Sequence, residues 1–209
     1  MDDDPILTVT RGFAPSGDLR RDVPAFLALH GCDKQGHSAA VAAEARRLAE
    51  RFGVDPDRAE AAGWLHDVSA VWPSAERGRV AHALGLPVLP EEESFPLVLH
   101  QKLSAVLARR AFGVSDVGIL EAVGCHTTLR CGATPLDKVL FVADKLAWDQ
   151  AGAPPYADAV RAALDRSLDA AAFAFLDWQW QHRDLLAVVH PWMRQAHDEL
   201  ARLTAGQGA

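Results

Sequence analysis

His66 and Asp67 stand side by side at the close of an apolar run, Ala62-Gly63-Trp64-Leu65-His66-Asp67-Val68. Adjacent helical residues diverge by about 100°, yet at a helix end both side chains can lean toward one point beside it. An imidazole and a carboxylate form a hard-to-borderline donor pair suited to iron, manganese, zinc or a similar divalent ion. Alone, the dipeptide is explained more simply as a capped helix end. Two further residues belong with it. His37 begins a helical stretch, Gly36-His37-Ser38-Ala39-Ala40-Val41-Ala42. Asp144 lies in Leu140-Phe141-Val142-Ala143-Asp144-Lys145, on a mostly apolar helix. A carboxylate on such a face is costly unless it is paired or bound to a cation. The alternative partner is a neighbouring backbone group or a base such as Lys145.

Helices must position these groups, because period-2 alternation is scarce and apolar spacing is helical from Leu19 onward. Val41, Ala45, Leu48, Ala49 and Phe52 make one stripe, ended by Gly53; Asp55-Pro56 opens the next helix. The spacing predicts further helices from Glu91 to Arg110, Asp116 to Cys125, Thr134 to Trp148, Tyr156 to about Trp180, and Leu185 to Leu203 with a kink or restart at Pro191. Residues 1–18 read as an irregular N-terminal segment, and residues 19–209 as one helical domain with a C-terminal helical extension. The class is all-α, a compact multi-helix bundle.

The chain has 209 residues and a formal charge of −7, which does not suit a binder of nucleic-acid polymers. A small phosphate ligand remains compatible, because a metal supplies positive charge locally. No apolar run approaches membrane-spanning length, the acidic N-terminus has no signal-like apolar core, and the three cysteines form no C-x-x-C pair. The expectation is a reduced, cytoplasmic protein without disulfides.

The order His37, then His66-Asp67, then Asp144 on separate helices resembles the HD superfamily of metal-dependent phosphohydrolases. Within it, the chain is similar to the YqeK-type, symmetrical diadenosine tetraphosphate hydrolases. Further segments carry that likeness: His100 through Leu107, Phe112-Gly113-Val114, His126-Thr127-Thr128, and Leu136 through Lys145. The resemblance implies a helical bundle with a central metal site held by His37, His66, Asp67 and Asp144. The ion it implies is iron, with manganese or another divalent ion as substitutes, and one or two ions bound. It places His100 and His126 at the metal and on the substrate's phosphates, as catalytic groups that neutralise phosphate oxygens or ease departure of the leaving group, with a second ion there as an alternative. Thr127 is a candidate phosphate donor through its hydroxyl and backbone N–H. Asp67, besides ligating, is a candidate base toward the attacking water.

The activity so implied is hydrolysis of a dinucleoside polyphosphate, diadenosine tetraphosphate, into two ADP by a metal-activated water. A nucleotidase, a guanosine alarmone hydrolase and a non-catalytic nucleotide-binding regulator are the alternatives. One departure bears on the substrate: Gln150 stands where related enzymes carry an arginine thought to hold the nucleotide, and an amide offers no charged fork to phosphate. Lys34, Lys102 and Arg130 read as solvated bases, with phosphate contact as the alternative, and Trp148 as core, with stacking on a base as the alternative. His82 and His197 read as surface helical residues, and His182 and His190 as packing among the C-terminal tryptophans. Those tryptophans also suit a homodimer.

Overall fold

A computed structural model describes residues 4–148 and 152–206. Among these residues there are twelve α-helices and no strand, the all-α architecture expected. In chain order they are α1 Pro5–Val9, α2 Leu19–Leu29, α3 Gln35–Phe52, α4 Pro56–Leu65, α5 Arg77–Ala83 and α6 Pro90–Ser94. Then come α7 His100–Arg110, α8 Val117–Cys125, α9 Pro135–Leu146, α10 Ala157–Leu164, α11 Leu168–Gln181 and α12 Pro191–Ala205. Short 3-10 turns at Val68–Val71, Ser74–Glu76, Pro96–Leu99 and Arg183–Leu185 join them.

Local chemistry starts and stops the helices that matter for the site. Gly53, at φ 69°, ends α3 in the left-handed conformation that a Cβ disfavours. Asp55 then accepts the amides of Asp57 and Arg58, with Pro56 in the first turn of α4. Thr134 and Asp137 cap α9 reciprocally. Val139 through Ala143 are all buried, so α9 runs through the middle of the bundle. The antiparallel pair α3 and α4 touches backbone to backbone: a Cβ built on Gly63 would lie 2.5 Å from Ala42 Cα. The close approach sets the end of α4 beside the start of α3. Buried apolar residues from Ile6 to Leu200 form one continuous cluster.

Several sequence expectations need correction. The segment read as irregular contains α1, started by the Asp4 carboxylate on the Ile6 amide. Ile6 and Val9 are buried, His30 Nε2 donates to the Val9 carbonyl at 2.8 Å, and Phe13 packs on Phe26 and Phe112. The helix expected over Glu91–Arg110 breaks at Phe95, because Pro96 has no N–H to continue it. The Tyr156–Trp180 helix is two, α10 and α11, the second restarted by the Ser167 cap. The helix expected from Leu185 begins instead at Pro191, after the 3-10 turn at Arg183–Leu185 and a non-helical stretch.

Two residues read as solvated are partly or wholly enclosed. Lys102 donates to the buried Glu92 carboxylate at 2.7 Å, where His190 Nε2 (3.3 Å) and the Leu89 amide (2.8 Å) also converge. This cluster fastens the start of α12 to α6 and α7. His197 is buried, stacked on Trp180 and 3.3 Å from Asp177. Arg130 is paired with Asp137 and Glu121, Trp148 packs on Tyr156, and all three cysteines are free. Among the described residues no helix is long and apolar enough to cross a membrane. Gln150 lies outside the described residues.

Candidate metal centre

The ends of α3, α4, α7, α8 and α9 meet at one point. His37 is in the first turn of α3, His66 is the C-terminal cap of α4 with Asp67 next to it, and Asp144 is in the last turn of α9. His100 begins α7, and His126 caps α8.

Three of the four histidines are oriented in the same way. The Nδ1 of His66 lies 2.8 Å from Gly63 O, that of His100 2.7 Å from Leu97 O, and that of His126 2.8 Å from Val123 O. A carbonyl only accepts, so each Nδ1 carries the proton and donates it. In the neutral ring the Nε2 lone pair is then bare, as a metal ligand requires.

Those Nε2 atoms gather in two groups. In the first, His66 Nε2 is 3.2 Å from His37 Nε2, 3.5 Å from Asp144 Oδ1 and 3.7 Å from Asp67 Oδ2; His37 Nε2 is 3.3 Å from Asp144 Oδ1. In the second, His100 Nε2 is 3.1 Å from His126 Nε2. These lie 3.5 Å and 4.0 Å from Asp67 Oδ1, and the Thr127 hydroxyl is 2.9 Å from His100 Nε2. Asp67 thus turns one carboxylate oxygen to each group.

The ionisation states suit a cation. For Asp67, desolvation acts to raise the pKa, but His66, His100 and His126 outweigh it and hold the carboxyl well below its ordinary range. For Asp144 desolvation is likewise outweighed, by Lys145 first and then His37 and His66. Burial pushes His100 and His126 down, so neither takes a proton readily. Two neutral imidazoles whose bare nitrogens face each other at 3.1 Å repel. A divalent ion that accepts both lone pairs removes the conflict, and imidazole nitrogen with carboxylate oxygen is a donor set such ions bind. The residues present therefore fit a metal in each group.

Asp144 is paired with its neighbouring base and also faces the histidines: Oδ2 accepts from Lys145 Nζ at 2.6 Å, and Oδ1 lies near His37 and His66. The Thr127 hydroxyl faces the centre, while its backbone N–H is committed to Gln101 Oε1 at 3.1 Å. Sequence reasoning passed over Gln101, which also takes the Thr128 amide at 3.3 Å and so shapes the turn after His126. Its position beside His100 was the available signal. Ser69 was missed as well: its hydroxyl donates to His100 O at 2.9 Å and accepts from Ser104 at 2.9 Å. A mostly apolar cavity of about 280 Å³, lined by Leu97, Val98, Thr127, Leu186 and Met193 among others, adjoins Thr127. A larger cleft of about 740 Å³ beside α1 and α5 contains none of the ligand candidates.

Comparison with known proteins gives the family and the fold. The profile of the HD domain family matches residues 35–149, more than half of the chain. An uncharacterized protein of Lactococcus lactis subsp. cremoris is 40% identical over 147 residues, covering 70% of this chain and 74% of that one. A Bacillus subtilis protein named symmetrical bis(5'-nucleosyl)-tetraphosphatase is 35% identical over 135 residues, covering 65% and 71%. The crystal structure of a predicted HD superfamily hydrolase from Clostridium acetobutylicum superposes with a TM-score of 0.79, covering 87% of this chain and 96% of that one. At 24% identity that likeness establishes the fold. Fold, profile and relatives converge: the chain belongs to the HD domain family of metal-dependent phosphohydrolases.

Proposed function

We propose that this chain hydrolyses diadenosine tetraphosphate symmetrically, releasing two ADP. The observation that carries the reading is the double donor group hinged on Asp67, which would hold divalent cations where a polyphosphate needs its charge neutralised. The likeness to proteins named symmetrical bis(5'-nucleosyl)-tetraphosphatase supports the substrate. So does the cavity beside Thr127, which is large enough for a nucleobase and mostly apolar.

His37, His66, Asp67 and Asp144 hold one ion. Asp67 Oδ1, His100 and His126 are the donors for a second. Iron is the ion proposed, with manganese as the substitute. A divalent ion bound there polarises a phosphoryl oxygen and supplies an acidified water near neutral pH.

The chain's own groups do the rest. Lys145 keeps Asp144 ionised and holds one of its oxygens, leaving the other toward the histidines. The carbonyls of Gly63, Leu97 and Val123 fix the tautomers of three imidazoles, and Ser69 anchors the backbone of His100. The Thr127 hydroxyl, which donates to His100 Nε2 at 2.9 Å, would turn to a phosphoryl oxygen once an ion engages that nitrogen. With lowered pKa values and Nδ1 already donating, His100 and His126 serve better as ligands than as neutralisers of phosphate charge. Water adds to the second phosphorus, the P–O bond to the central bridging oxygen breaks, and ADP departs with that oxygen and a proton from the water.

The test is elemental analysis of the purified protein and its Asp67→Ala variant, with products from diadenosine tetraphosphate identified by chromatography. Metal and ADP in the parent, both lost in the variant, support the reading. Metal without ADP release overturns the substrate and leaves the HD centre. AMP with ATP as products would overturn symmetrical cleavage.

A further inference from the structure

Arg77, at the start of α5, is held unlike the arginines that meet carboxylates elsewhere in the chain. Arg20 meets Glu60, Arg46 meets Asp57 and Glu60, Arg58 meets Asp116, and Arg130 meets Asp137. Among the described residues, no carboxylate lies within 4.0 Å of the Arg77 guanidinium. Two backbone carbonyls fix it instead: Nε donates to Trp72 O at 3.2 Å and a terminal nitrogen, Nη1, to Leu97 O at 3.1 Å.

A guanidinium carries five N–H donors. Two are used here, which leaves three uncommitted on a partly buried cation with no carboxylate within 4.0 Å. Burial draws its pKa below the ordinary value, with the Asp67 charge acting in the other direction. Partial burial of a guanidinium with no carboxylate in contact is costly, and a ligand that brings an anion to the free N–H groups would offset that cost.

Its place says which ligand. Leu97 O accepts from Arg77 and also from His100 Nδ1, so one carbonyl joins the guanidinium to the second donor group. The charge of Arg77 is felt at both His100 and Asp67. Leu97 and Thr127 also line the cavity beside the centre. Arg77 is therefore tied, through Leu97, to a residue that both orients His100 and lines the cavity beside the centre.

We propose that Arg77 is a phosphate-binding residue, its free N–H groups gripping non-bridging phosphoryl oxygens of the nucleotide beside the metal centre. The inference rests on the reading of the centre as a phosphoanhydride hydrolase. The fork geometry suits two oxygens of one phosphate or of neighbouring phosphates. The grip is present in ground state and product complexes alike, so it acts mainly on KM and on ADP affinity.

The test uses the metal-loaded full chain, with ADP and inorganic pyrophosphate as probes in titration calorimetry. The variants are Arg77→Gln, Arg77→Lys and, as a neighbouring control, the exposed Arg79→Gln. Melting temperature and metal content are recorded for each. Arg77→Gln should weaken both probes about ten- to a hundred-fold and raise KM more than it lowers kcat. Arg77→Lys should recover part of the affinity, since it keeps the charge but not the fork. Arg79→Gln should match the parent. Unchanged probe affinity in a folded, metal-loaded Arg77→Gln protein overturns the inference. So does a matching loss of metal, which would make Arg77 a positioning residue for the centre. Should Arg77→Gln fail to fold, Arg77→Lys decides alone: affinity equal to the parent, with KM unchanged, overturns it. If the parent binds ADP through Arg77 but makes none from diadenosine tetraphosphate, the proposed substrate falls and this inference stands.

Discussion

Replacing Gly63 with alanine should loosen the fold and the metal centre together. A Cβ at position 63 would lie 2.5 Å from Ala42 Cα, 2.8 Å from Ala42 N and 3.1 Å from the Val41 carbonyl carbon. Carbon atoms in contact sit at about 3.5–4.0 Å. The helices α3 and α4 must therefore part by roughly 1 Å, because the obstacle is backbone and cannot rotate away. Overpacking of this kind costs about 1–3 kcal/mol. Alanine's better helix propensity returns roughly 1 kcal/mol. With a rigid obstacle the first effect falls in the upper part of its range, about 2–3 kcal/mol, for a net loss of about 1–2 kcal/mol and a melting temperature lower by about 2–8 °C.

The same displacement reaches the ligands. His37 rides on α3 and His66 on the end of α4, with their Nε2 atoms 3.2 Å apart, and Gly63 O itself fixes the His66 tautomer. Metal-site distances tolerate only about ±0.2 Å. Affinity for the ion should fall about 10- to 100-fold, as when an outer partner of a ligand is lost. Thermal melts of stripped and reloaded protein, with elemental analysis after dialysis, measure both effects. The paired control is Gly124→Ala, where the nearest neighbour of a new Cβ is Ala105 Cβ at 3.7 Å. That variant should be stabilised by about 0.5–1 kcal/mol. A Gly63→Ala protein that melts at or above the parent and keeps its metal would refute the idea that this crossing sets the His37–His66 spacing.

Other predictions concern the supporting shell. Gln101→Met should cost at least about 2 kcal/mol in urea unfolding, because the Thr127 and Thr128 amides lose their shared acceptor in the interior; a loss below about 0.5 kcal/mol would show that the turn finds other partners. Burial acts to raise the Glu92 pKa, but the bonds from His190, Lys102 and the Leu89 amide outweigh it and hold it below the ordinary value. The folded state therefore binds fewer protons here than the unfolded chain. The stabilisation is complete above the unfolded glutamate pKa and fades as pH falls through the folded one. The stability gap between parent and Glu92→Gln should accordingly narrow from pH about 7 to about 3, well below the glutamate reference value; a gap that stays constant or widens on acidification contradicts the assignment.

What the amino-acid sequence determined is local in origin. The helical class follows from apolar spacing, and the starts of α4, α9 and α12 follow from Asp55-Pro56, Thr134-Pro135 and Pro191, whose backbone chemistry acts within one turn. The candidate ligands were legible because their types and order match a known family and because Asp144 sits on an otherwise apolar helix. The breaks at Phe95 and Ser167 were missed where helical periodicity runs on through residues that cap or interrupt it.

Tertiary structure alone decided the rest, because the partners lie far apart along the chain. No spacing rule announces that Gly63 meets Ala42, that Lys102 and His190 share Glu92, or that His197 is enclosed by Trp180 and Asp177. The division of the donors into two groups on the two oxygens of Asp67 is likewise a product of packing, since it needs five helix ends brought to one point. Arg77 is the clearest instance. In sequence it is one basic residue near the start of a short helix, and only the fold shows that two carbonyls hold it beside His100 with donors to spare.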